Sequence, residues 1–584
     1  MTGSVTNTLW ARSFVDELAR AGVCEIVIAP GSRSTPLVMA CAADDRMRTR
    51  VHLDERSAAF FALGVGKASG QPAAVITTSG TAVANVFPAV VEASQAGVPL
   101  LVLTADRPHR LRGADANQAI DQVGIFGGYV RAFFEMAPPE DDPRALRHLR
   151  SVASRAVADS VGPSAGPVQV NFPFDKPLEP IDLDDTPSEG DPVPLHGRES
   201  RTPFTRIQGG RTQLSDTQID QMVDLLGSGH GVIVAGPSED TGRVGAAVRH
   251  MGAATGCPVL ADALSGARFG PSNGAVIVAG YDIVLGDETA RARLRPSVIL
   301  RIGTSPTSAA LQRWMAEHHD VPQLVIDEGP RWKDHASTAT HYFQADPSDT
   351  LVRLADRAPR AEKEWTELWL AVDRAVRTSE VPVGAGPHEG DVLTAALAAL
   401  PTDGGLFVSS SMPIRDLDTF AHPAERSARV FANRGASGID GVVSSAFGAA
   451  SQCDGVSICV IGDVAFFHDQ NGLLWSREKD APVVFVVIDN DGGGIFHMLP
   501  IAEHDPHFTR FFATPHGVHP RYAAEAHGIG AADVTIEDLP RALDEAVRAG
   551  ETTLLRVVTE RTTNHARRAA AKAAVRRSAI AALG

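Results

Sequence analysis

Asp463 and Asn490 stand 27 residues apart, and each follows an apolar run: SICVIG before Asp463 and VVFVVID before Asn490. A carboxylate and an amide oxygen form a hard donor pair suited to Mg²⁺ or Mn²⁺, with a backbone carbonyl, water and phosphate oxygens completing the shell. Gly492, Gly493 and Gly494 follow at once. Bare backbone admits close approach by a diphosphate and offers N–H donors to it. The plainer alternative is an Asp and an Asn that cap two helices beside a flexible glycine turn. Two motifs closing two neighbouring strands favour the metal–diphosphate reading, because ligands gather at the carboxyl ends of parallel strands.

Such a site needs parallel strands to carry it. EIVIAPG, AAVITTSG and PLLVLTADRP read as strands in the first third, with TAVANVFPAVVEASQAG predicted as one helix that starts at Ser79–Thr81 and stops at Gly97. GVIVAG, SVILRIG and QLVIDEG repeat the rhythm in the middle, and GLFVSSS, SICVIGD, VVFVVIDN and TLLRVVT in the last third. The fold class predicted is α/β, with three doubly wound domains. The expected bounds are a domain over 1–180, a linker over 181–215, a central domain over 216–356, a connecting segment over 357–390, a domain over 391–560 and a basic helix over 561–584.

The 584 residues exceed one core. At 44% hydrophobic and 21% charged the composition is that of a globular protein. A net charge of −16 argues against a general nucleic-acid binder but not against anionic substrates. The N-terminal residues lack a signal-peptide pattern, and no apolar run reaches the roughly 20 residues of a membrane span. A cytoplasmic protein without membrane insertion is expected. Cys24, Cys41, Cys257, Cys453 and Cys459 form no CxxC pair and read as buried free thiols. After Glu560 the side chains of Arg561, Arg567, Arg568, Lys572, Arg576 and Arg577 have no acid among them. Nucleic acid or membrane contact is one reading, and a helix packed on its own subunit the favoured one. His497, His504, His507, His516 and His519 crowd a proline-rich stretch whose spacing fits no common zinc pattern, so a substrate lid is expected there.

The motifs GD and N at this separation resemble the diphosphate signature of thiamine-diphosphate enzymes. APGSRSTPL (29–37), LDERSAAFFALG (53–64), TTSGTAVAN (77–85), TADRP (104–108), NRGASGIDG (433–441), GDVAFFHDQNGLL (462–474) and NDGGGIF (490–496) narrow the resemblance to the SEPHCHC synthase family of menaquinone biosynthesis. Val464 replaces the second glycine of the superfamily's GDG, as in that family. The resemblance implies decarboxylation of 2-oxoglutarate on thiamine diphosphate and addition of the succinyl unit to isochorismate. It assigns catalysis to Glu55, a carboxyl in an apolar setting beside the cofactor's pyrimidine. Cofactor binding falls to Glu55, Gly80, Ser411, Ile439, Asp463, Asn490, Gly493, Gly494 and Ile495, with Ile439 as the wedge that bends the cofactor. Asp463, Asn490 and Gly492 are the implied ligands of Mg²⁺ or Mn²⁺.

Both implied substrates are dicarboxylates, and arginine binds carboxylates in bidentate fashion. By motif, Arg33, Arg107, Arg415 and Arg434 take this role, Ser32, Gln118 and Ser411 add polar contacts, and Phe496 an apolar wall. Ser411 and Arg415, four apart, face one side if SSMPIRD opens a helix. One departure is Ala309–Ala310, where the family carries a basic pair; Arg301 and Arg313 are the candidate substitutes. The resemblance further implies a homodimer or homotetramer, with Glu55 and Asp463 of different chains acting on one cofactor. Two alternatives stand: another thiamine-dependent 2-oxo acid carboligase or decarboxylase, acetolactate-synthase-like, or a thiamine-diphosphate-binding protein without catalysis. No GxGxxG follows GVIVAG, and Glu55 is present; these features weigh against them in turn.

Overall fold

The computed structural model describes residues 3–181, 193–329, 331–379 and 386–584. Parts of the two expected breaks, 182–192 and 380–385, lie outside the described residues. Three six-stranded sheets are formed, and every strand pair is parallel. The first contains β1 (Glu25–Ile28), β2 (Arg48–Val51), β3 (Ala73–Thr77), β4 (Leu100–Asp106), β5 (Ala132–Glu135) and β6 (Pro167–Pro173), in the order β2-β1-β3-β4-β6-β5. The second contains β7 (Gly231–Ala235), β8 (Val259–Ala261), β9 (Ile277–Val278), β10 (Val298–Ile302), β11 (Gln323–Ile326) and β12 (His341–Phe343), in the order β12-β11-β10-β7-β8-β9. The third contains β13 (Gly405–Val408), β14 (Arg429–Phe431), β15 (Ser457–Gly462), β16 (Val483–Asp489), β17 (Gly530–Val534) and β18 (Thr553–Val558), in the order β14-β13-β15-β16-β18-β17. β4, β6 and β16 are buried throughout; β16 as far as Ile488 and the first four residues of β4 are apolar runs, whereas β6, which was not among the expected strands, buries Gln169 and Asn171.

Packing divides the chain into two units: residues up to 210 with 433–452 and 468–481, and residues 211–432 with 453–467 and 482–584. In the first, the Glu55–Ser69 helix lies against the Val442–Ala450 helix at van der Waals distance of the backbones. A Cβ on Gly64 would fall 2.2 Å from the Ser445 carbonyl oxygen, and one on Gly448 2.0 Å from that of Phe61. The segment expected as one helix over 81–97 is two, Thr81–Asn85 and Phe87–Ala96, because Pro88 has no N–H for the Ala84 carbonyl. Its N-cap is Gly80 without a side-chain bond, while the Gly97 stop stands, at φ 82°.

In the second unit the C-terminal stretch is a helix, Arg561–Ala582, most of whose charges bond its own chain, with Arg577 exposed. Arg568 pairs with Asp416 at 2.5 Å, Lys572 with Asp282 at 2.7 Å, and Arg576 donates to the Ile283 carbonyl at 3.1 Å. At the β7–β10 switch point the following loops hold each other, Thr304 N–H donating to the Pro237 carbonyl at 2.9 Å. Of the cysteines, Cys41, Cys257 and Cys459 are buried as expected, but Cys24 is exposed and Cys453 half-buried. No described helix is long and apolar enough to cross a membrane.

Candidate active site

β15 and β16 are neighbours, with Gly462 paired to Ile488, so Asp463 and Asn490 leave the sheet side by side. Asp463 opens the Asp463–His468 helix and is buried. Its Oδ2 accepts the Gly492 N–H at 2.8 Å and its Oδ1 the Val464 N–H at 2.7 Å. Burial pushes the carboxyl up to about 6, against those two N–H groups, which pull it down. Asn490 donates its Nδ2 to Glu389 Oε1 at 3.0 Å, while its Oδ1 is buried and has no hydrogen-bond partner. Arg561 donates to the carbonyl of Asn490 at 2.6 Å and to that of Asp491. An orphaned amide oxygen beside a buried carboxylate fits a hard cation.

The glycine run differs from expectation. Its N–H groups are taken by the chain itself: Gly492 by Asp463, Gly493 by the Ala513 carbonyl at 2.7 Å, Gly494 by the Gly492 carbonyl at 2.9 Å. Side chains are excluded here because 512–513 packs onto the loop; a Cβ on Gly492 would lie 2.0 Å from the Ala513 oxygen and one on Gly493 2.6 Å from that of Phe512. The next residues bring His516, whose Nδ1 accepts the Val518 N–H, so that Nε2 carries the proton toward Asp463 Oδ2 at 3.3 Å. Asp463, Asp489 and His516 thus offer ligand atoms within 4.8 Å of one another, a cluster that histidine spacing does not reveal. Asp489 is already committed, accepting Arg556 Nε at 2.6 Å and the Asp491 N–H at 3.2 Å.

Ser411 caps the Met412–Phe420 helix at φ 74°, a left-handed conformation unusual for a side-chain-bearing residue, and Arg415 donates to its carbonyl at 2.5 Å. Ile495 and Phe496 are half-buried, the Phe496 ring edge-on to Phe512 at 5.8 Å.

In the first unit Glu55 is the first residue of its helix and half-buried. Asn85 Nδ2 donates to Glu55 Oε2 at 3.2 Å, because the Thr81–Asn85 helix ends there. The preceding turn is braced by residues of 468–481. Asp54 accepts the Arg56 N–H at 2.9 Å and Asn471 Nδ2 at 3.0 Å, Arg56 donates to the His468 carbonyl at 2.9 Å, and Ser57 to Asp469 at 3.1 Å. His52, held neutral mainly by burial, accepts the Asp54 N–H at 3.1 Å and donates Nε2–H to the Asn471 carbonyl at 3.1 Å.

Gly80, Gln118, Arg107 and Arg33 come together. Arg107 bonds Ser79 Oγ and the Asn117 carbonyl, Gln118 Nε2 donates to the Ser79 carbonyl at 3.1 Å, and the Gly80 N–H donates to Gln122 at 3.0 Å. Arg33 is buried and donates to the Phe174 carbonyl at 2.7 Å. Burial first, then the like charge of Arg107, lowers its pKa. Two guanidinium groups so close suit a dianion. Ser32 is exposed at the mouth of this turn. Arg434 and Ile439 are half-buried, in a loop whose Gly435 and Ala436 N–H groups donate to the buried Glu92 carboxylate at 2.8 and 2.6 Å.

Arg301 does not substitute for the missing basic pair; it is buried on Asp334 at 2.8 Å. Arg313 is exposed on the Ala309–Glu317 helix. In the second unit Glu389, Asp489 and Arg561 adjoin Asp463 and Asn490 and were not singled out as site residues, though Asp489 lay in plain view beside Asn490, while His516, read only as part of a lid, reaches Asp463. In the first unit Asn85 and Glu92 were likewise passed over.

The family model of the thiamine pyrophosphate enzyme N-terminal TPP binding domain matches residues 10–125, that of the middle domain of thiamine pyrophosphate enzymes 196–408, and that of the C-terminal TPP binding domain 418–557. Fold and site therefore define a thiamine-pyrophosphate enzyme. Relatives named 2-succinyl-5-enolpyruvyl-6-hydroxy-3-cyclohexene-1-carboxylate synthase include one from Halobacterium salinarum, 43% identical over 97% of this chain and 98% of its own. One from Roseiflexus sp. is 41% identical over 97% of each chain, and one from Geobacillus kaustophilus 42% identical over 89% of each. The chain belongs to this synthase family.

Proposed function

We propose that the chain joins 2-oxoglutarate to isochorismate with loss of CO₂, giving 2-succinyl-5-enolpyruvyl-6-hydroxy-3-cyclohexene-1-carboxylate, in the cytoplasm. Thiamine diphosphate supplies, when bound, the carbon nucleophile for a 2-oxo acid. The residues of this chain bind, orient and hold protons. Asp463 and the Asn490 amide oxygen, with the Gly492 carbonyl, hold Mg²⁺ or Mn²⁺. Gly493, Gly494, Ile495, Ser411, Gly80 and Ile439 form walls of the cofactor site. Glu55 holds the proton shared with the cofactor's pyrimidine nitrogen, its carboxyl steered by Asn85. Arg33 and Arg107, braced by Ser79 and Gln118, take carboxylates. Arg415, Arg434, Ser32 and Ser411 add contacts, and Phe496 an apolar wall.

A homodimer or homotetramer is the proposed working form, a site drawing Glu55 from one copy and Asp463 from another. In support, each half-site is bordered by exposed apolar side chains: Val51 and Leu53 near Glu55, Met498, Leu499 and Phe511 beyond the glycine loop. The observation that carries the cation reading is the buried, unpartnered Asn490 Oδ1 on the strand next to Asp463. Asp463→Ala should weaken Mg²⁺ and thiamine diphosphate binding together, by about a hundredfold. Calorimetric titration checks this, and unchanged affinity would remove the ligand set. CO₂ release from 2-oxoglutarate that depends on isochorismate checks the reaction; coupling from pyruvate instead would overturn it.

A further inference from the structure

Asn490 can present either its oxygen or its NH₂ to a cation, and only the oxygen binds one. An asparagine ligand therefore needs a device that fixes its amide plane. In this chain the device is Glu389, a buried carboxylate in the first turn of the Glu389–Ala399 helix. Its Oε1 accepts Asn490 Nδ2 at 3.0 Å and Thr559 Oγ1 at 2.7 Å. Its own N–H donates to Asn564 Oδ1 at 2.9 Å, which ties it to the C-terminal helix. Thr559 in turn donates its N–H to the Asp489 carbonyl at 3.0 Å. A carboxylate only accepts, so the amide nitrogen must face it, and Oδ1 is the atom left over. That atom is buried and unpartnered.

We infer that Glu389 is a positioning residue for the cation site: through the Asn490 Nδ2 bond it selects the oxygen face of the amide as the ligand. The inference rests on the cation reading of Asp463 and Asn490. Glu389 acts on the ligand, as outer-shell partners of metal ligands do, where loss typically costs 10–100-fold in affinity.

The test reads Mn²⁺ affinity by paramagnetic resonance in the presence of thiamine diphosphate, beside thermal unfolding of the metal-free protein, without reference to turnover. Glu389→Gln keeps the shape but can offer its NH₂ to Asn490, so the amide is no longer locked. Mn²⁺ affinity should fall about tenfold or more, with metal-free unfolding unchanged. Glu389→Asp, which withdraws the carboxylate by one methylene, should fall similarly and serves if the first variant does not fold. Asn490→Asp sets two carboxylates face to face and should also bind weakly. The double variant Glu389→Gln, Asn490→Asp reverses donor and acceptor, with the second amide hydrogen free for Thr559. It should return to within about threefold of the native affinity, a coupling that a purely structural role does not produce. Native-like Mn²⁺ binding in Glu389→Gln, or losses that simply multiply in the double variant, overturns the inference. Asp463→Ala run alongside separates the two levels: if it too binds Mn²⁺ normally, the cation reading fails and this inference falls with it, whereas loss there with none in Glu389→Gln condemns the inference alone.

Discussion

At the start of its helix, the Glu55 carboxylate accepts a hydrogen bond from Asn85. A carboxyl so placed is free to share a proton with an incoming ring nitrogen, so Glu55→Gln should keep thiamine diphosphate affinity within about threefold yet lose about 100-fold or more in turnover. Steady-state rates beside calorimetry check the split, and near-normal turnover would end the role. At this scale the sequence was legible where chemistry sits at the end of a strand. Asp463 and Asn490 follow apolar runs, and the runs proved to be neighbouring strands. Glu389 was illegible because it reaches Asn490 from 101 residues away and no spacing rule links them, and His516, read only as part of a histidine-rich lid, reaches Asp463 from 53 residues away. The glycines were legible only in part: three in a row announce a close approach, and the chain's own approach from 512–513 is not written in their spacing.

The elements that hold the Glu55 helix carry their own pH dependence. Asp469 is fully buried between Ser57 and Ser444, accepting the Ser444 N–H at 2.7 Å, and burial pushes it up to about 6 against those bonds. The folded protein thus keeps a proton that the unfolded chain has lost above about pH 4. The resulting stability, about 3 kcal/mol, is full below the unfolded value and is lost as pH rises through about 6. Asp469→Asn should flatten the fall in melting temperature between pH 4 and 7, measured by calorimetry; an unaltered slope would show the carboxyl titrating normally. The covered, largely apolar strands β1, β3, β7, β10, β11, β13, β15 and β16 were readable; the edge strands β2, β5 and β17, with exposed or half-exposed residues, and β6, which buries Gln169 and Asn171, were not. The break at Val86 was not weighed, although Pro88 announced it, because the flanking apolar pattern runs on at helical spacing. The C-terminal helix was read correctly as packed on its own chain, but its partners Asp282 and Asp416 were beyond any local pattern.

Across the whole molecule the first and third sheets share one strand order, and the middle sheet has another. No repeat in the sequence betrays this, because a sheet order is set by crossover lengths and burial rather than by residue identity. The proposed division of one site between two copies is tested at this scale. Mixing Glu55→Gln and Asp463→Ala chains, each inactive alone, should restore about a quarter of native activity if dimers form at random, since half are mixed and each of those has one intact site of two. Activity that stays at background after mixing and reassembly would mean that one chain supplies both groups. The bare contact of the Glu55–Ser69 and Val442–Ala450 helices adds a further consequence. With nothing but hydrogen at positions 64 and 448, the two rods have a fixed gauge, like bearings machined without clearance. A single methyl there is a spacer that must force the two rods apart, and the rod it displaces is the one that carries Glu55 at its tip.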